Sequence, residues 1–450
     1  MSALEHAAPA AGTVAPRLSR PFIAALMLAN FGTNVALIAP IQNVLPRMVE
    51  AVTGAGGKAL ALGLVTGIGA FAALVANPVA GHYSDRWVSA DNRSVTILVG
   101  LVTGGVAHVI IGYQHSVVSI AIWWTICQAT INIAYGPMSA IVVDHVDRRS
   151  WGLVWGLISV SQAVGLIVGL AAVVYVFPSV TAGMIAISVG YVVCLVPLLA
   201  VLYRLPRVSY AVTGVAGAAD GAAAALGTGS TGAGGAAPAA ARRPGVRALL
   251  SLEQGFGLVW AGKFLVTLAE TVALLYLYYY VQDVVRYHDP GQGQLILVLC
   301  ATLAAIVATV AVGRVADRSA GYRRYAVLAS VVLAATGFTL AGFAQWTVVI
   351  VCAFALGAGY GAFQSVSQAL SMVVLPSPAN AGRDLGIINI ASAVPQVIGA
   401  PIAGLVVAGA GGYRGLFVFA GVLALAAAMV FTRVPPSADT PASDTAPSAA

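Results

Sequence analysis

Twelve apolar stretches, each long enough to cross a bilayer as a helix, constrain what this chain can fold into. A helix rises about 1.5 Å per residue, so a hydrocarbon layer of about 30 Å needs roughly 20 apolar residues. The stretches lie at about 21–45, 59–83, 94–113, 117–143, 151–177, 180–203, 256–285, 292–313, 324–344, 346–375, 385–410 and 413–432. The sequence therefore predicts an all-α membrane protein with 12 transmembrane helices.

The composition excludes an ordinary soluble domain. Hydrophobic residues make up 60% of the chain and charged residues 8%, against roughly 45–50% and 25% in soluble domains. The net charge of +7 is therefore interpreted through the loops in which the Lys and Arg residues lie, and it does not indicate a nucleic-acid partner. The four cysteines lie in apolar runs without a CxxC spacing or an adjacent histidine, so we expect packing roles and neither a metal nor a cofactor.

The apolar stretches form two sets of six, separated by a long gap. The gap is rich in Ala, Gly, Ser and Thr from 214 to 241, which is typical of a flexible tether. The predicted parts are a disordered N-terminus, an N-terminal half, a cytoplasmic linker, a C-terminal half and a disordered tail. Their ranges are 1–20, 21–203, 204–255, 256–432 and 433–450.

The distribution of Lys and Arg predicts the orientation. If the N-terminus is cytoplasmic, the cytoplasmic segments hold 17 of these residues and the outer segments four, which are Arg47, Lys58, Arg286 and Arg414. Positive charge is concentrated on the cytoplasmic side of membrane proteins. We therefore expect a multi-pass protein of the cytoplasmic membrane with both termini in the cytoplasm.

Short motifs of the first half return in the second half. The segment GHYSDR at 81–86 is matched by GRVADR at 313–318, at an offset of 232, and each copy follows the second helix of its half. Arg149 and Arg383 belong to a further repeated pattern at an offset of 234. Repeats in the same orientation predict two pseudo-symmetric six-helix bundles about an axis along the membrane normal.

At these motifs the chain resembles the major facilitator superfamily (MFS) over nearly all of its length. The family's marker is G-x-x-x-D-R followed by glycine and basic residues, which the second copy continues through Gly321, Arg323 and Arg324, whereas Val88 replaces the second glycine in the first copy. The segments KFL at 263–265 and GRDLGIINIA at 382–391 are similar to an actinobacterial branch near the sucrose and glycoside cation symporters. The resemblance implies a transporter rather than an enzyme.

The resemblance also implies that helices 1, 4, 7 and 10 line a central cavity. Polar residues in helices 1, 4 and 10 recur every three or four positions, which places them on one helical face. The candidates for substrate binding are Asn30, Asn34, Gln128, Asn132, Tyr135, Tyr360, Gln364 and Gln368. Buried amides need hydrogen-bond partners, which a watery cavity or a polar neutral substrate such as a sugar supplies. The alternative is that they hold helices together.

Helix 7 carries two charges, Lys263 and Glu270, within an apolar run. Each central charge costs roughly 2.5–3.5 kcal/mol on an insertion scale, so both need partners, water or a function. Residues seven positions apart share one face but lie about 10 Å apart. Glu270 is predicted to couple transport to protons because an apolar setting favours the protonated carboxyl, which ionises when water or substrate arrives. Structural pairing and direct substrate binding are the alternatives for Glu270.

Lys263 can tune that equilibrium, bind an anionic group or extend to the membrane interface. His108 in helix 3 is interpreted as a packing residue rather than a proton relay. The tyrosines among residues 276–280 are expected to form an aromatic belt at the outer interface rather than a platform for substrate.

The two repeated loop motifs are predicted to act as gates. The candidate gating residues are Gly81, Asp85, Arg86, Gly313, Asp317, Arg318, Arg149 and Arg383. An aspartate is attracted by a helix N-terminus, and an adjacent arginine can tie it to the other half. By resemblance, Asp85 docks near the start of helix 11 at 382–386, and Asp317 near the start of helix 5 at 149–152. These contacts would close the cytoplasmic side.

Together these features predict a monomeric secondary transporter that moves a small organic solute by alternating access, coupled to protons. One alternative is an exporter of drugs or secondary metabolites, although Leu170 stands where the helix 5 motif of drug exporters has proline. A transporter-like sensor or an intramembrane enzyme is the other alternative. The spans contain no Asp/Asp, Ser/Lys or His-cluster signature that would support catalysis.

Overall fold

The computed structural model describes residues 20–86, 91–146, 150–204, 255–319, 321–374, 381–409 and 411–435. Apart from a few terminal residues, the predicted disordered ends and the predicted linker lie outside this part of the chain. The described residues form twelve long helices and no strand. They are α1 (20–53), α2 (55–86), α3 (Asp91–Ile111), α4 (Val117–His145), α5 (Trp151–Ala171), α6 (Val180–Arg204), α7 (Phe256–Leu275), α8 (Pro290–Ser319), α9 (Tyr322–Gly342), α10 (Trp346–Val373), α11 (Ala381–Gly409) and α12 (Gly412–Thr432).

A single glycine separates the first two helices. α1 passes through a π-helical turn at Pro40–Val44, and Gly54 then leaves the helical conformation with φ 67° and ψ −176°. A side chain at this positive φ would be strained, so glycine suits the turn. Residues 46–58, which the sequence places between the first two apolar stretches, are therefore helical on both sides of Gly54, and Lys58 lies inside a helix.

α7 is interrupted where its tyrosines begin. Tyr276 has φ −101° and ψ 12°, after which a short helix at Leu277–Tyr280 and a π turn at Val281–Val285 carry the chain on to Arg286. Such interruptions of the regular hydrogen-bond ladder are frequent at functional sites. Here the break reorients a cluster of side chains that contacts the other half of the molecule.

The helices have the length and composition of membrane spans. Eleven stretches of the described residues meet these criteria, and the first of them, Arg20–Ala76, contains the break at Gly54 and so includes both α1 and α2. The sequence-based prediction of an all-α membrane fold with twelve helices is confirmed.

Equivalent helices pack in equivalent ways in the two halves. α1 packs on α5 and α6, just as α7 packs on α11 and α12, and the contacts of α2 with α4 return between α8 and α10. The two interfaces between the halves are not equivalent. α2 lies along α11, with Gly63 so close that a Cβ atom there would stand 2.5 Å from the carbonyl oxygen of Ala400, whereas α5 and α8 touch at few positions. This asymmetry leaves space between α5 and α8.

Candidate functional site

The two ends of the helix bundle are named here by the connections between helices that lie at each end. We call the end with the α1–α2 turn and the α7–α8 connection the Gly54 end. We call the opposite end, with the α2–α3 and α8–α9 connections, the Arg318 end. The two repeated G-x-x-x-D-R motifs lie at the Arg318 end.

A buried lysine joins the two halves at the Gly54 end. The Nζ atom of Lys58 in α2 lies 2.8 Å from Oε1 of Glu50 and 2.9 Å from Oδ2 of Asp283, which follows α7. Lys58 is only 2% exposed, and its ammonium also stands 4.5 Å from the centre of the Tyr279 ring. Gln282 donates to Glu50 at 3.1 Å. We call these five residues the Lys58 cluster.

The tyrosines of α7 extend this connection. Tyr276 donates to the carbonyl of Ala59 at 2.8 Å, and Tyr279 donates to that of Pro46 at 2.7 Å, so both reach into the other half. The sequence-based prediction of an aromatic belt at the interface was wrong, because these two side chains are fully buried. Backbone carbonyls of neighbouring helices supply the partners that water supplies to a belt tyrosine.

A pair of glutamines adds a further bond at the same end. The amide of Gln294 in α8 donates to the backbone oxygen of Gln42 at 2.7 Å and lies 2.9 Å from its side-chain oxygen. Gln294 is completely buried. Together with the Lys58 cluster and the tyrosines, this pair closes the Gly54 end across both halves.

A cavity of about 840 Å³ lies between the halves, with α5 and α8 as its main walls and residues of α1, α7 and α10 completing it. Most of the lining is Leu, Val, Ile, Ala and Gly. The polar side chains of the lining are Gln42, Ser159, Glu270, Thr302, Thr309, Tyr360 and Gln364. The volume falls in the range of roughly 300–1,000 Å³ that is typical of sites for small organic molecules.

Glu270 lines this cavity, and the hydroxyl of Tyr360 in α10 lies beside its carboxyl group. Glu270 is the one residue of this cavity's lining with a formal charge when ionised. The protonation of a carboxyl group among apolar walls changes with the hydration of the cavity and with the binding of ligands.

Lys263 lies two turns earlier in α7 and does not line this cavity. It is only 4% exposed, and it has no ion-pair or hydrogen-bond partner among the residues that the structure describes. A lysine with so little exposed surface and no anionic partner is costly in an apolar span.

The predicted substrate residues fall into separate groups. Tyr360 and Gln364 line the cavity. Asn30 and Tyr135 are joined through Gln162 of α5, whose amide lies 3.4 Å from Oδ1 of Asn30 and 3.2 Å from the hydroxyl of Tyr135. These contacts are of the helix-joining kind that the sequence left open as an alternative.

The remaining predicted substrate residues have different surroundings. Asn132 donates to the carbonyl of Gln128 one turn earlier in α4, and Gln128 itself is buried. The side-chain oxygen of Asn34 is buried and has no hydrogen-bond partner in the structure. Gln368 is exposed near the Arg318 end of α10.

The predicted gating residues are described only in part. The surroundings of Gly81, the side chains of Asp85, Arg86 and Arg383, and all of Arg149 lie outside what the structure describes. Of the second motif, Arg318 is exposed and Gly313 packs so closely on Ser365 that a Cβ atom would stand 2.6 Å from its Oγ. Asp317 is exposed and accepts a hydrogen bond of 2.9 Å from Tyr322 of the same half.

His108 is fully buried and joins α3 to α1. Its Nε2 atom lies 3.0 Å from the oxygen of Ala36, and Nδ1 lies 2.8 Å from that of Gly104. In a helix the oxygen of Ala36 would accept from residue 40, which is proline and has no N–H. In the tautomer that carries the proton on Nε2, His108 supplies the donor that Pro40 lacks.

The residues that join the halves were not predicted from the sequence. Glu50, Lys58 and Asp283 carry opposite charges at the ends of apolar stretches, a signal that the sequence contains. Their pairing is a long-range contact, which spacing along the chain does not indicate. Among the described residues, no group of three or more His, Cys, Asp or Glu is arranged to hold a metal ion.

Comparisons with known proteins agree with this geometry. The family model of the Major Facilitator Superfamily matches residues 259–449. The fold is similar to that of the nucleoside transporter NupG, with a TM-score of 0.67 at 12% identity, covering 91% of this chain and 98% of the other. No curated protein matches the chain by sequence.

Two further solved structures have the same fold. One is a bacterial homolog of the human lysosomal transporter Spinster in an inward-facing and occupied conformation, with a TM-score of 0.68 at 11% identity, covering 92% of this chain and 97% of the other. The other is a POT family transporter in complex with a thioalcohol-conjugated peptide, with a TM-score of 0.67 at 11% identity, covering 91% and 95%. At these identities the likeness concerns the fold alone.

Proposed function

We propose that this chain, which is similar to the major facilitator superfamily in the sequence of its second half and in its fold, is a proton-coupled secondary transporter. It carries a small organic solute across the cytoplasmic membrane by alternating access and acts as a monomer. The observation that carries the proposal is the position of Glu270, a carboxyl on the wall of a cavity between the two halves, beside Tyr360.

Proton coupling at Glu270 follows from its surroundings. An ionised carboxylate among apolar walls is unfavourable unless water, a hydrogen-bond donor or a cationic group compensates it. The occupancy of the cavity therefore changes the proton affinity of Glu270, which is what coupling requires. Lys263, two turns away, tunes this affinity through its charge.

The orientation proposed from Lys and Arg makes the Arg318 end cytoplasmic and the Gly54 end external. The bonds of the Lys58 cluster then close the external side, and the conformation is inward-facing. In this conformation Asp317 bonds Tyr322 of its own half. We propose that in the outward-facing conformation Asp317 and Asp85 dock on the opposite half near Arg149 and Arg383.

A second candidate is an exporter of drugs or secondary metabolites with the same mechanism. It is favoured by the apolar walls of the cavity, which suit an apolar substrate better than a sugar. An importer and an exporter differ in the direction of net solute transport. Once a substrate is found, its uptake into vesicles in which the orientation of the protein is known measures that direction.

Proteoliposomes that contain the purified protein and an internal pH indicator test the proposal. We expect candidate solutes that bind the wild type to drive proton movement, and Glu270→Gln to move no protons even at solute concentrations high enough to occupy its site. Glu253→Gln, outside the described residues and outside the predicted spans, is the matched control and should behave like the wild type. Normal coupled transport by Glu270→Gln would refute the role of Glu270.

A further inference from the structure

The cavity between α5 and α8 limits the chemistry of its occupant. Its lining combines a wide apolar wall with one carboxyl group, and its polar side chains are few and mostly hydroxyls and amides. On this basis we propose that the site takes an amphipathic cation, meaning a largely apolar molecule with a single positively charged group. The inference rests on the proposed function, whose substrate class it names.

The apolar part of the occupant is determined by the walls. Leu153 and Val160 of α5 and Ile306 and Val310 of α8 line the cavity and are 64%, 50%, 43% and 45% exposed. Covering such surface releases roughly 25 cal/mol per Å². A sugar would instead have to leave many hydroxyl groups against these side chains without partners, which costs free energy for each group.

The positive charge of the occupant is determined by Glu270. A cation beside the carboxylate compensates the charge that the apolar walls would otherwise disfavour. The hydroxyl of Tyr360 lies beside the carboxyl in the lining, but it is neutral and does not supply the compensating positive charge. Lys263 does not oppose the cation at contact distance, because it is absent from this lining and lies about 10 Å away along α7.

The volume agrees with an occupant of this kind. A space of about 840 Å³ accommodates a molecule with several rings together with some water. Gln42 and Gln364 add hydrogen-bonding groups to the lining and can hold that water or a polar substituent. The site thus provides apolar area, one anion and a small polar region.

Equilibrium binding to the purified full-length protein in lipid nanodiscs tests the inference. The probes are radiolabelled tetraphenylphosphonium as an apolar cation, triphenylphosphine oxide as its neutral counterpart, and sucrose as a polar solute of moderate size. We expect saturable binding of tetraphenylphosphonium, weaker competition by triphenylphosphine oxide and none by sucrose. Glu270→Gln should weaken binding of the cation by about tenfold or more, equivalent to about 1.4 kcal/mol. Its effect on binding of the neutral probe should be smaller.

Two valine variants on α5 provide the matched comparison. Val160 lines the cavity and Val164 does not, although both are about half exposed. Val160→Trp should fill the site and weaken binding of tetraphenylphosphonium by about tenfold or more, since overpacking costs roughly 1–3 kcal/mol. Val164→Trp adds the same volume outside the site and should bind normally. An unchanged elution profile of each variant establishes that it is folded.

The outcomes separate this inference from the proposed function. Absence of saturable tetraphenylphosphonium binding, displacement by sucrose, or normal binding by Val160→Trp would overturn the substrate class. Binding as expected without substrate-dependent proton movement in proteoliposomes would instead refute the proton coupling and leave the substrate class standing.

Discussion

Lys58 of the first half and Asp283 of the second half form an ion pair of 2.9 Å, in which the lysine is almost fully buried. The pair crosses the boundary between two bundles that must move apart if the Gly54 end is to open. Its free energy therefore contributes directly to the balance between the two conformations of an alternating-access cycle.

Replacing the lysine should open the Gly54 end. In Lys58→Met, Glu50 and Asp283 lose their shared cation and repel each other, so the closed conformation loses stability. A loss of about 1.4 kcal/mol would change the ratio of the conformations about tenfold. Spin labels at Val52 and Arg414, one in each half, should then give a larger population of long distances. Arg286→Met removes an exposed charge from the same end and should leave the distances as they are.

Removing the hydroxyl beside Glu270 should weaken transport without abolishing it. Tyr360→Phe removes the hydroxyl that lies beside the carboxyl, and a hydrogen bond from such a hydroxyl to a charged acceptor is worth roughly 1.5–3 kcal/mol. We expect proton-coupled uptake in proteoliposomes to fall by about tenfold or more, less than in Glu270→Gln. Tyr113→Phe, at an exposed tyrosine after α3, is the control. Uptake at the wild-type rate by Tyr360→Phe would contradict the role assigned to this hydroxyl.

His108 should stabilise the fold through the carbonyl that Pro40 leaves without a donor. His108→Phe keeps a ring in the same space but leaves the oxygen of Ala36 unpaired, at a cost of roughly 1–3 kcal/mol. The midpoint of thermal unfolding in detergent should fall. His115→Phe, at an exposed histidine, should leave it unchanged. Equal midpoints for both variants would show that His108 contributes little.

α8 and α10 pack so closely at Gly361 that an added methyl group there should destabilise the fold. A Cβ atom at Gly361 would stand 2.3 Å from the carbonyl oxygen of Ala305, so Gly361→Ala must push the helices apart. Forced packing costs roughly 1–3 kcal/mol, and the unfolding midpoint should fall.

Gly190→Ala is the matched control for that variant, because no neighbouring atom lies within 4 Å of its added Cβ atom. Alanine is the better helix former, so this variant should be neutral or slightly stabilising. If Gly361→Ala unfolds at the same temperature as Gly190→Ala, the packing argument is wrong.

The sequence by itself determined the class of the fold. Apolar length decides which segments can lie in a bilayer, because each unsatisfied backbone group there is costly, and this constraint acts within each segment. The motif at 81–86, which returns at 313–318, also predicted that the chain consists of two related halves. The charge at Glu270 was also evident, since a carboxyl in an apolar span is expensive wherever it occurs.

Only the tertiary structure decided which polar groups meet. Lys58 lies next to Asp283 although 225 residues separate them, and Gln162 joins Asn30 to Tyr135 because α1, α4 and α5 converge. The extent of contact between α5 and α8, and with it the apolar character of the cavity, likewise depends on how the two bundles are placed. Periodicity within a helix specifies which face is polar, but the partner of that face is chosen by packing between helices that are distant in the chain.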